Sequence, residues 1–287
     1  MSVAIAPTRI TVATRTRWLW TDTKVVCWRN LMRFVRIPSL FVFSIVQPLM
    51  FVLLFVYVFG GVITNLPGLD YTNFLMPGIF VQTAIFGSTN TGIGIAEDLT
   101  SGLLDRFRSL PMARSAVLTG RTAADIVRNV VVVFLMVAVG YLVGFSFNFG
   151  LFHALMAVVL TVLIGFCFSW VSAWIGLTLK DTETVQAASF TWIFPLTFIS
   201  SALVPIVGMP PLLATIARNN PVTIWANCVR WLTNGYVYVT GPDGVARQLL
   251  PEEGTTGTQL VVKSLIWIAA ILAVFVPLAV RKYRRLT

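Results

Sequence analysis

Residues 154–179 read ALMAVVLTVLIGFCFSWVSAWIGLTL and contain no charged side chain. A bilayer-crossing helix needs roughly 20 mainly apolar residues, so a helix over this stretch is long enough to span. Each charge at the centre of such a helix costs on the order of 2.5–3.5 kcal/mol, and an uninterrupted apolar run is therefore typical of a membrane span. The stretch predicts a helical integral membrane protein.

The composition of the whole chain agrees with this prediction. Of its 287 residues, 57% are apolar and 11% are charged, and the mean hydropathy is +0.84. Soluble domains are about a quarter charged. The 21 Lys and Arg against 11 Asp and Glu give a net charge of +10. A basic chain can bind nucleic acid, but this sequence has too little polar surface for that, so nucleic acid is excluded as a partner.

Charge-free stretches recur along the chain and predict six spans. The long stretch 184–217 contains Pro195, Pro205, Pro210 and Pro211, and we divide it near Val207. The predicted spans lie near 38–63, 74–96, 129–148, 154–179, 184–207 and 261–280. The predicted fold is all-α, with a six-helix membrane domain over 38–280.

The distribution of basic residues predicts the orientation. Alternate connections hold 17 of the 21 Lys and Arg, and the positive-inside rule places these connections in the cytoplasm. Both termini are therefore expected in the cytoplasm of a multi-pass cell-membrane protein. The N-terminal segment 1–37, the stretch 97–128, the linker 180–183 and the basic tail 281–287 are predicted to be cytoplasmic, and the connection 208–260 is predicted to be external.

Residues 15–36 predict a helix along the membrane surface. Trp20, Trp28 and Leu31 fall on one side of a helical wheel, and Arg29 and Arg33 fall on another. Basic residues opposite an aromatic face suit an interfacial helix on an anionic leaflet. A simple positive flank that orients the first span is the alternative.

The stretch 97–111, EDLTSGLLDRFRSLP, predicts a short amphipathic helix between spans two and three. Leu99, Leu103, Phe107 and Leu110 recur on one stripe, and Pro111 ends the helix. Leu104 widens the stripe, whereas the charged residues lie away from its centre: Asp105, Arg106 and Arg108. An exposed apolar stripe usually marks a contact surface, although a solvated loop helix is the alternative.

Two segments resemble a known family. Residues 102–125, GLLDRFRSLPMARSAVLTGRTAAD, closely resemble permease subunits of the ABC type-2 transporter family, and especially its daunorubicin/doxorubicin-resistance exporter group. Residues 209–213 (MPPLL), 218–223 (RNNPVT) and 230–235 (RWLTNG) resemble the outer hairpin of that group. Together with the six-span plan, the resemblance covers essentially the whole chain, but neither motif is specific for a substrate.

The resemblance implies a role for the 97–111 helix. In such permeases this element is a coupling helix that sits in a cleft of a separate ATPase subunit. That role falls here on Leu99, Leu103, Leu104, Asp105, Arg106, Phe107, Arg108, Leu110 and Pro111. The family pattern is two ATPases and two permeases per exporter, the second permease being another copy or a paralogue.

ATP chemistry is expected in the partner. The chain has no GxxxxGK[ST] phosphate-binding loop, so ATP and Mg are expected in the ATPase subunit, with no cofactor on this chain. His153 is the single histidine, and Cys27, Cys167 and Cys228 are far apart. This pattern predicts neither a metal site nor a catalytic site.

Polar and aromatic residues within the predicted spans are candidates for lining the route of a lipophilic substrate, since intramembrane polarity usually faces protein or water. The alternative role is hydrogen bonding between helices. The candidates are Gln47, Gln82, Asn90, Phe190, Thr191, Phe194, Thr197, Ser200 and Ser201.

The external segment 208–235 predicts two short helices turned at 219–221. It is too short to cross the bilayer alone, which favours a re-entrant or interfacial hairpin containing Pro210, Pro221, Trp225 and Arg230. In the family it caps the outer end of the route. An amphipathic lid on the outer leaflet is the alternative, and 241–257 is predicted to be a solvated loop.

These observations predict the membrane subunit of an ATP-driven exporter for a drug or antibiotic, or for an envelope lipid or glycolipid. A permease for polysaccharide or lipid-linked glycan remains open, as does a purely scaffolding homologue. A membrane-bound lipid-modifying enzyme would need gathered acid–base groups. However, Glu97, Asp98, Asp105 and Asp125 are interleaved with Arg, as on a solvated face. The preference for Arg over Lys favours a GC-rich source such as an actinobacterium.

Overall fold

The computed structural model describes residues 12–36, 38–59, 70–102, 114–206, 209–240, 246–250 and 255–286. The regular secondary structure within these ranges is helical apart from one antiparallel ribbon. In chain order the elements are α1 (Val12–Arg36), α2 (Pro38–Leu53, extended by a π-helical segment over Leu54–Phe59), α3 (Tyr71–Thr100), α4 (Arg114–Leu142), α5 (Leu151–Leu179), α6 (Thr182–Phe198), α7 (Pro211–Asn219), α8 (Pro221–Asn234), β1 (Val237–Thr240), β2 (Ala246–Leu250) and α9 (Gly257–Leu286).

Three helices in the described part of the chain are long and apolar enough to cross a membrane. They are Leu118–Leu142 within α4, α5, and α9. A shorter apolar helix covers Ile45–Val58. That the chain crosses the membrane six times therefore stays a prediction.

Helix α3 lies at the centre of the bundle and packs against α4, α5, α6 and α8. Most of its residues are buried, although the helix is rich in glycine, serine and threonine. A Cβ on Gly92 would stand 2.5 Å from the Ser172 main-chain oxygen, and one on Gly176 would stand 2.4 Å from the Gly92 oxygen. The two glycines therefore allow α3 and α5 to cross in close contact.

Short polar side chains define several helix starts. Asp70 caps α3 by accepting from the main-chain nitrogens of Thr72 and Asn73. Asp181 caps α6 by accepting from the Thr184 nitrogen at 2.8 Å, and Asn220 caps α8 in the same way. Such caps satisfy main-chain donors that have no partner within the helix.

Helix α1 packs along the N-terminal part of α4. Val26 is buried there, the Thr23 and Thr119 hydroxyls are 3.2 Å apart, and a Cβ on Gly120 would collide with Val26. Trp28 is exposed on another side of α1. One face of the helix thus contacts protein, and its location at a membrane surface stays a prediction.

Two elements differ from the sequence expectation. Residues 114–128, expected in a cytoplasmic segment, form the first half of α4. The predicted solvated loop 241–257 includes β2, which pairs antiparallel with β1 through partners such as Tyr238 and Gln248. Asp125 and Arg128 in this half of α4 are buried and form an ion pair, and the cytoplasmic location of 114–128 stays a prediction.

Candidate functional site

A cavity of about 280 Å³ lies between α2, α3, α4 and α6. Four of the nine predicted route residues line it: Gln47, Gln82, Asn90 and Phe190. The cavity is also lined by Arg128 and Asn129 of α4 and by Gln186 of α6, which are not among the residues predicted from the sequence. Their signal was weak, because 128–129 lies at the boundary between the expected cytoplasmic segment and the third predicted span.

The amide of Gln82 is the most distinctive polar group in this cavity. The side chain is 3% exposed, and neither Nε2 nor Oε1 has a hydrogen-bond partner. Asn129 is also 3% exposed, with its Nδ2 unpartnered. A buried polar group without a partner costs about 1–3 kcal/mol, so these amides indicate a place for water or a ligand.

The other five route candidates do not line the cavity. Thr191 and Thr197 donate their hydroxyls to main-chain oxygens of their own helix, each at 2.8 Å. Ser200 donates to the Thr197 oxygen at 2.5 Å, and Ser201 donates to Asn227 Oδ1 at 3.0 Å. Of these hydroxyls, only that of Ser201 bonds to another helix, as the alternative of hydrogen bonding between helices expected.

Aromatic rings form one side of the cavity and continue along α6. The Phe86 ring is 6.0 Å from that of Phe190 and 5.3 Å from that of Phe194. The Phe194 ring is in turn 5.7 Å from that of Phe198 in a tilted arrangement, and both side chains are exposed. This row offers apolar contact area beside the buried amides.

A buried ion pair lies behind the cavity, where the sequence predicted a solvated face. Asp125 and Arg128 are each 5% exposed, with Oδ1 and Nη1 3.2 Å apart. Thr91 donates its hydroxyl to the other Asp125 oxygen, and Arg128 donates to the Gly87 main-chain oxygen. The solvated-face prediction is wrong for Asp125, because α3 supplies the partners that water would otherwise supply.

A second charge cluster joins α1, α3 and α4. Asp98 is 8% exposed and accepts from Arg121 at 2.5 Å and from Arg29 at 3.5 Å. A Cβ on Gly94 would occupy the position of the Arg121 guanidinium, so this glycine makes the room. The prediction of a solvated face is wrong for Asp98 as well. The cluster joins α1, α3 and α4 near the C-terminal end of α3.

The predicted ATPase-contact stripe lies mostly outside the described residues, which stop at Gly102 and resume at 114. Residues 97–100 are not a separate helix, since α3 continues to Thr100 and Ser101 caps it. Leu99 packs in a small cluster with Ile95, Leu118 and Tyr283. The contact of the stripe with an ATPase stays a prediction.

The hairpin predicted to be external contains the two predicted short helices, α7 and α8. Helix α7 is largely exposed, with Pro210 just before it, whereas α8, which begins at Pro221, is buried against α3, α5 and α9. Trp225 is fully buried and donates its ring N–H to the Ser264 oxygen at 3.3 Å. Helix α8 is thus enclosed by protein, and whether the hairpin enters the membrane or lies on the outer leaflet stays a prediction.

Arg230 on α8 is 0% exposed and is bonded entirely to neutral oxygen atoms. Its guanidinium donates to main-chain oxygens of Phe74, Ser201 and Ala202 and to side-chain oxygens of Ser201 and Asn227, at 2.6–3.2 Å. It also lies 3.7 Å from the centre of the Phe74 ring. All five N–H donors are therefore satisfied, which is what allows a cation to be buried here.

One of the oxygens that α8 contacts is left without its helical donor by a proline in α3. Pro77 has no N–H, so the Asn73 oxygen lacks its helical donor. Asn234 Nδ2 donates to that oxygen at 2.7 Å, and Arg230 donates to the next one, Phe74 O. The sequence therefore places donors on α8 opposite the interruption in α3.

The described residues hold no group of three or more His, Cys, Asp and Glu side chains that could bind a metal ion. The pKa of the Cys27 thiol is raised, mainly by burial and to a smaller extent by the negative charge of Asp125. A raised pKa disfavours the reactive thiolate. The buried carboxylates Asp98 and Asp125 are engaged in separate ion pairs. This arrangement gives little support to acid–base catalysis.

Comparison with known proteins identifies the family. Residues 21–233 match the family described as ABC-2 type transporter. A relative from Streptomyces coeruleorubidus, a daunorubicin resistance ABC transporter permease protein, is 31% identical over 90% of this chain and 84% of its own. One from Mycobacterium tuberculosis, named "Probable doxorubicin resistance ABC transporter permease protein", is 28% identical over 81% and 84%. An inner membrane transport permease of Escherichia coli is 22% identical over 74% and 82%.

The resemblance read from the two motifs is confirmed by these matches. The matched region runs from α1 through α8 and so includes the cavity, both charge clusters and Arg230. The chain belongs to the ABC-2 type transporter family and is a membrane-embedded, multi-pass permease.

Proposed function

We propose that this chain is the permease subunit of an ATP-driven exporter that moves a hydrophobic or amphipathic molecule out of the cytoplasm or the inner leaflet. Family membership over residues 21–233 is the observation that carries the proposal. The cargo is a drug, an antibiotic, or an envelope lipid or glycolipid. The names of two relatives, which mention daunorubicin and doxorubicin resistance, favour the first of these.

The proposed topology has six spans and cytoplasmic termini, with α3 as the second span. Helix α3 is long enough to cross but carries many small polar residues, and its enclosure by four other helices explains how such a sequence lies within a membrane domain. The outer hairpin enters the membrane domain from outside, which the burial of α8 and of Arg230 supports.

The proposed energy source is a pair of ABC ATPase subunits that hold ATP and Mg, together with a second permease copy or a paralogue. The segment 97–111 is the proposed ATPase contact. The Asp98–Arg121–Arg29 cluster supports this role, because it fixes the end of α3, from which the segment leaves, to both α1 and α4.

The proposed substrate route includes the cavity between α2, α3, α4 and α6. Its unpartnered amides and its aromatic side offer polar and apolar contacts to one amphipathic molecule. Gln47, Asn90 and Phe190 are contact candidates beside Gln82. Thr191, Phe194, Thr197, Ser200 and Ser201 have a weaker claim.

Export is tested in inside-out vesicles that contain this chain and its ATPase. We expect ATP-dependent, vanadate-sensitive accumulation of daunorubicin or of a short-chain fluorescent phospholipid. The matched control contains the ATPase alone. Accumulation that is the same without the permease would contradict the proposal, and product formed from a lipid by the chain without any ATPase would favour the lipid-modifying enzyme.

A further inference from the structure

Carboxamides make up most of the polar lining of the cavity between α2, α3, α4 and α6. Five of the described lining residues are Asn or Gln, and each of the four helices supplies at least one of them: Gln47, Gln82, Asn90, Asn129 and Gln186. A carboxamide carries an acceptor oxygen and two N–H donors, and it has no charge. The polar character of the cavity is therefore mainly that of neutral amides.

These amides present acceptors as well as donors. Gln82 is buried with neither Oε1 nor Nε2 bonded. Asn90 donates to the Gly87 oxygen at 3.2 Å, which leaves its own oxygen and its second N–H for other partners. A Cβ on the lining residue Gly87 would stand 3.4 Å from Asn129 Oδ1, whereas one on Gly165, outside the described lining, would collide with Asn129 Nδ2. Asn129 therefore contributes its oxygen to the cavity, and a ligand meets both kinds of hydrogen-bonding group.

The lining has no unpaired charge to offer a ligand. Arg128 is the one charged residue among the described lining residues, and it is engaged with Asp125 Oδ1 at 3.2 Å and with the Gly87 oxygen. An ion of either sign placed in the cavity would lose its water without gaining a counter-charge. This arrangement favours a neutral ligand.

Aromatic rings lie beside the amides. Phe51, Phe86 and Phe190 line the same cavity, and the Phe86 and Phe190 rings are 6.0 Å apart. Pockets for drug-sized molecules measure about 300–1,000 Å³. A cavity of about 280 Å³ therefore suits one group of an amphipathic molecule rather than the whole molecule.

We propose that this cavity binds the polar group of an amphipathic cargo, and that this group is uncharged and carries O–H or N–H donors next to oxygen acceptors. The hydroxyls of a sugar and a carboxamide both have this chemistry. Gln82 is the main determinant of the specificity, because it is the described lining residue whose buried amide has both polar atoms unsatisfied. The inference rests on the proposed export function and specifies its cargo.

The test uses fluorescently labelled diacylglycerols that differ only in their headgroup. A glucosyl headgroup is neutral and has donors and acceptors. Glucuronosyl and glucosaminyl headgroups keep the ring but add a carboxylate or an ammonium group, and tetra-O-methylglucosyl keeps the acceptors without the donors. In nanodiscs that contain the permease with its ATPase but no ATP, we expect the glucosyl probe to bind at least tenfold more tightly than the other three, the effect of about one lost hydrogen bond or more.

A succinamate headgroup, which ends in a carboxamide, separates the two neutral chemistries, and hemisuccinate is its anionic counterpart. Tight binding of the glucosyl probe alone assigns hydroxyls, and tight binding of the succinamate probe alone assigns an amide. Each result, or both together, supports a neutral group with donors and acceptors. The inference is overturned if neither neutral probe binds, or if a charged or tetra-O-methyl probe binds as tightly as the better neutral one.

Gln82→Met keeps the approximate side-chain shape but removes both polar atoms. We expect it to weaken binding of the better neutral probe about tenfold and to reduce the preference over the tetra-O-methyl probe. Gln259→Met is the matched control, because it makes the same exchange at an exposed residue near the start of α9. Gln186 is also exposed, so Gln186→Met is a second variant that the fold should tolerate, and it should weaken binding about two- to threefold.

Binding without ATP separates this inference from the proposed function. If vesicles that contain the exporter accumulate no amphipathic probe, the proposed function fails, while the binding preference still tests the cavity. If the probes are exported but Gln82→Met and Gln186→Met change their binding no more than Gln259→Met does, the cavity holds only water and the inference is overturned.

Discussion

Arg230 in α8 donates its Nε–H to the main-chain oxygen of Phe74 in α3, 2.6 Å away, with its guanidinium over the Phe74 ring. The two residues are far apart in the chain but meet one turn from Pro77, where α3 lacks a hydrogen bond. The hairpin α7–α8 is therefore fixed to the central helix beside the proline that interrupts its hydrogen bonding.

Arg230→Lys should destabilise the protein although it keeps the charge. An ammonium group has three donors and cannot reproduce the planar arrangement that reaches five oxygens. With two charge-assisted hydrogen bonds lost, we expect a decrease of about 3 kcal/mol in the free energy of unfolding, or roughly 5–10 °C in Tm. Thermal unfolding of the purified protein in detergent measures this change.

Arg218→Lys in α7 is the matched control, since Arg218 is exposed on the neighbouring helix of the same hairpin. Its Tm should stay within about 1–2 °C of the wild type. Equal shifts for the two variants would show that Arg230 is not the anchor of α8.

Asn234→Ala should cost about 1 kcal/mol, because the Asn73 oxygen loses its donor. In a Pro77→Ala background, the new N–H at residue 77 can bond to that same oxygen, so the loss caused by Asn234→Ala should be smaller. A double-mutant cycle on Tm measures the coupling. Additive effects would show that the amide does not compensate for the proline.

The order of the helices was largely predictable from hydropathy. The charge-free run 154–179 became α5, and the turn at Asn219–Pro221 separates α7 from α8 as expected. The start of α4 was not predictable in this way. Arg121, Asp125 and Arg128 look like a solvated segment in a linear sequence, but partners on α3 neutralise or satisfy them.

The candidate site was predictable only in part, for a similar reason. Gln82 stands out as a polar residue within an apolar run, whereas Asn129 becomes notable only because α4 packs its amide beside α3 and α5. Thr191 and Thr197 are also polar residues within a predicted span, but their hydroxyls bond within their own helix. Side-chain direction, which one sequence does not reveal, separates these cases.

The cap of α6 predicts a pH dependence. Hydrogen bonds from Thr184, through its side chain and its main chain, lower the pKa of Asp181 below the usual 3.8. A lowered folded-state pKa stabilises the fold above the unfolded value, and that stability is lost as the pH falls through the folded value. The Tm difference between the wild type and Asp181→Asn should therefore be constant near neutral pH and decrease below about pH 4. A difference that grows on acidification would contradict this explanation.

The packing of α1 on α4 predicts a cross-link. The Thr23 and Thr119 hydroxyl oxygens are 3.2 Å apart, so cysteines at both positions should form a disulfide under mild oxidation. The background replaces Cys27, Cys167 and Cys228 with Ser. Val25 is exposed on another face of α1, and Val25→Cys paired with Thr119→Cys is the control. Equal cross-linking of both pairs would show that α1 does not keep this face on α4.

Phe107→Asp tests the ATPase contact proposed for the 97–111 segment. A carboxylate in the middle of an apolar contact is left desolvated without a partner, so the permease should still insert while its association with the ATPase weakens at least tenfold. Co-purification of the two subunits and the ratio of cargo moved to ATP hydrolysed measure the effect. Ser109→Asp is the matched control, because it adds the same charge on the opposite side of a helix over this stretch. Wild-type co-purification and export by Phe107→Asp would remove the segment from the ATPase interface, and the Asp98–Arg121–Arg29 cluster would then lose its proposed role in fixing the base of that contact.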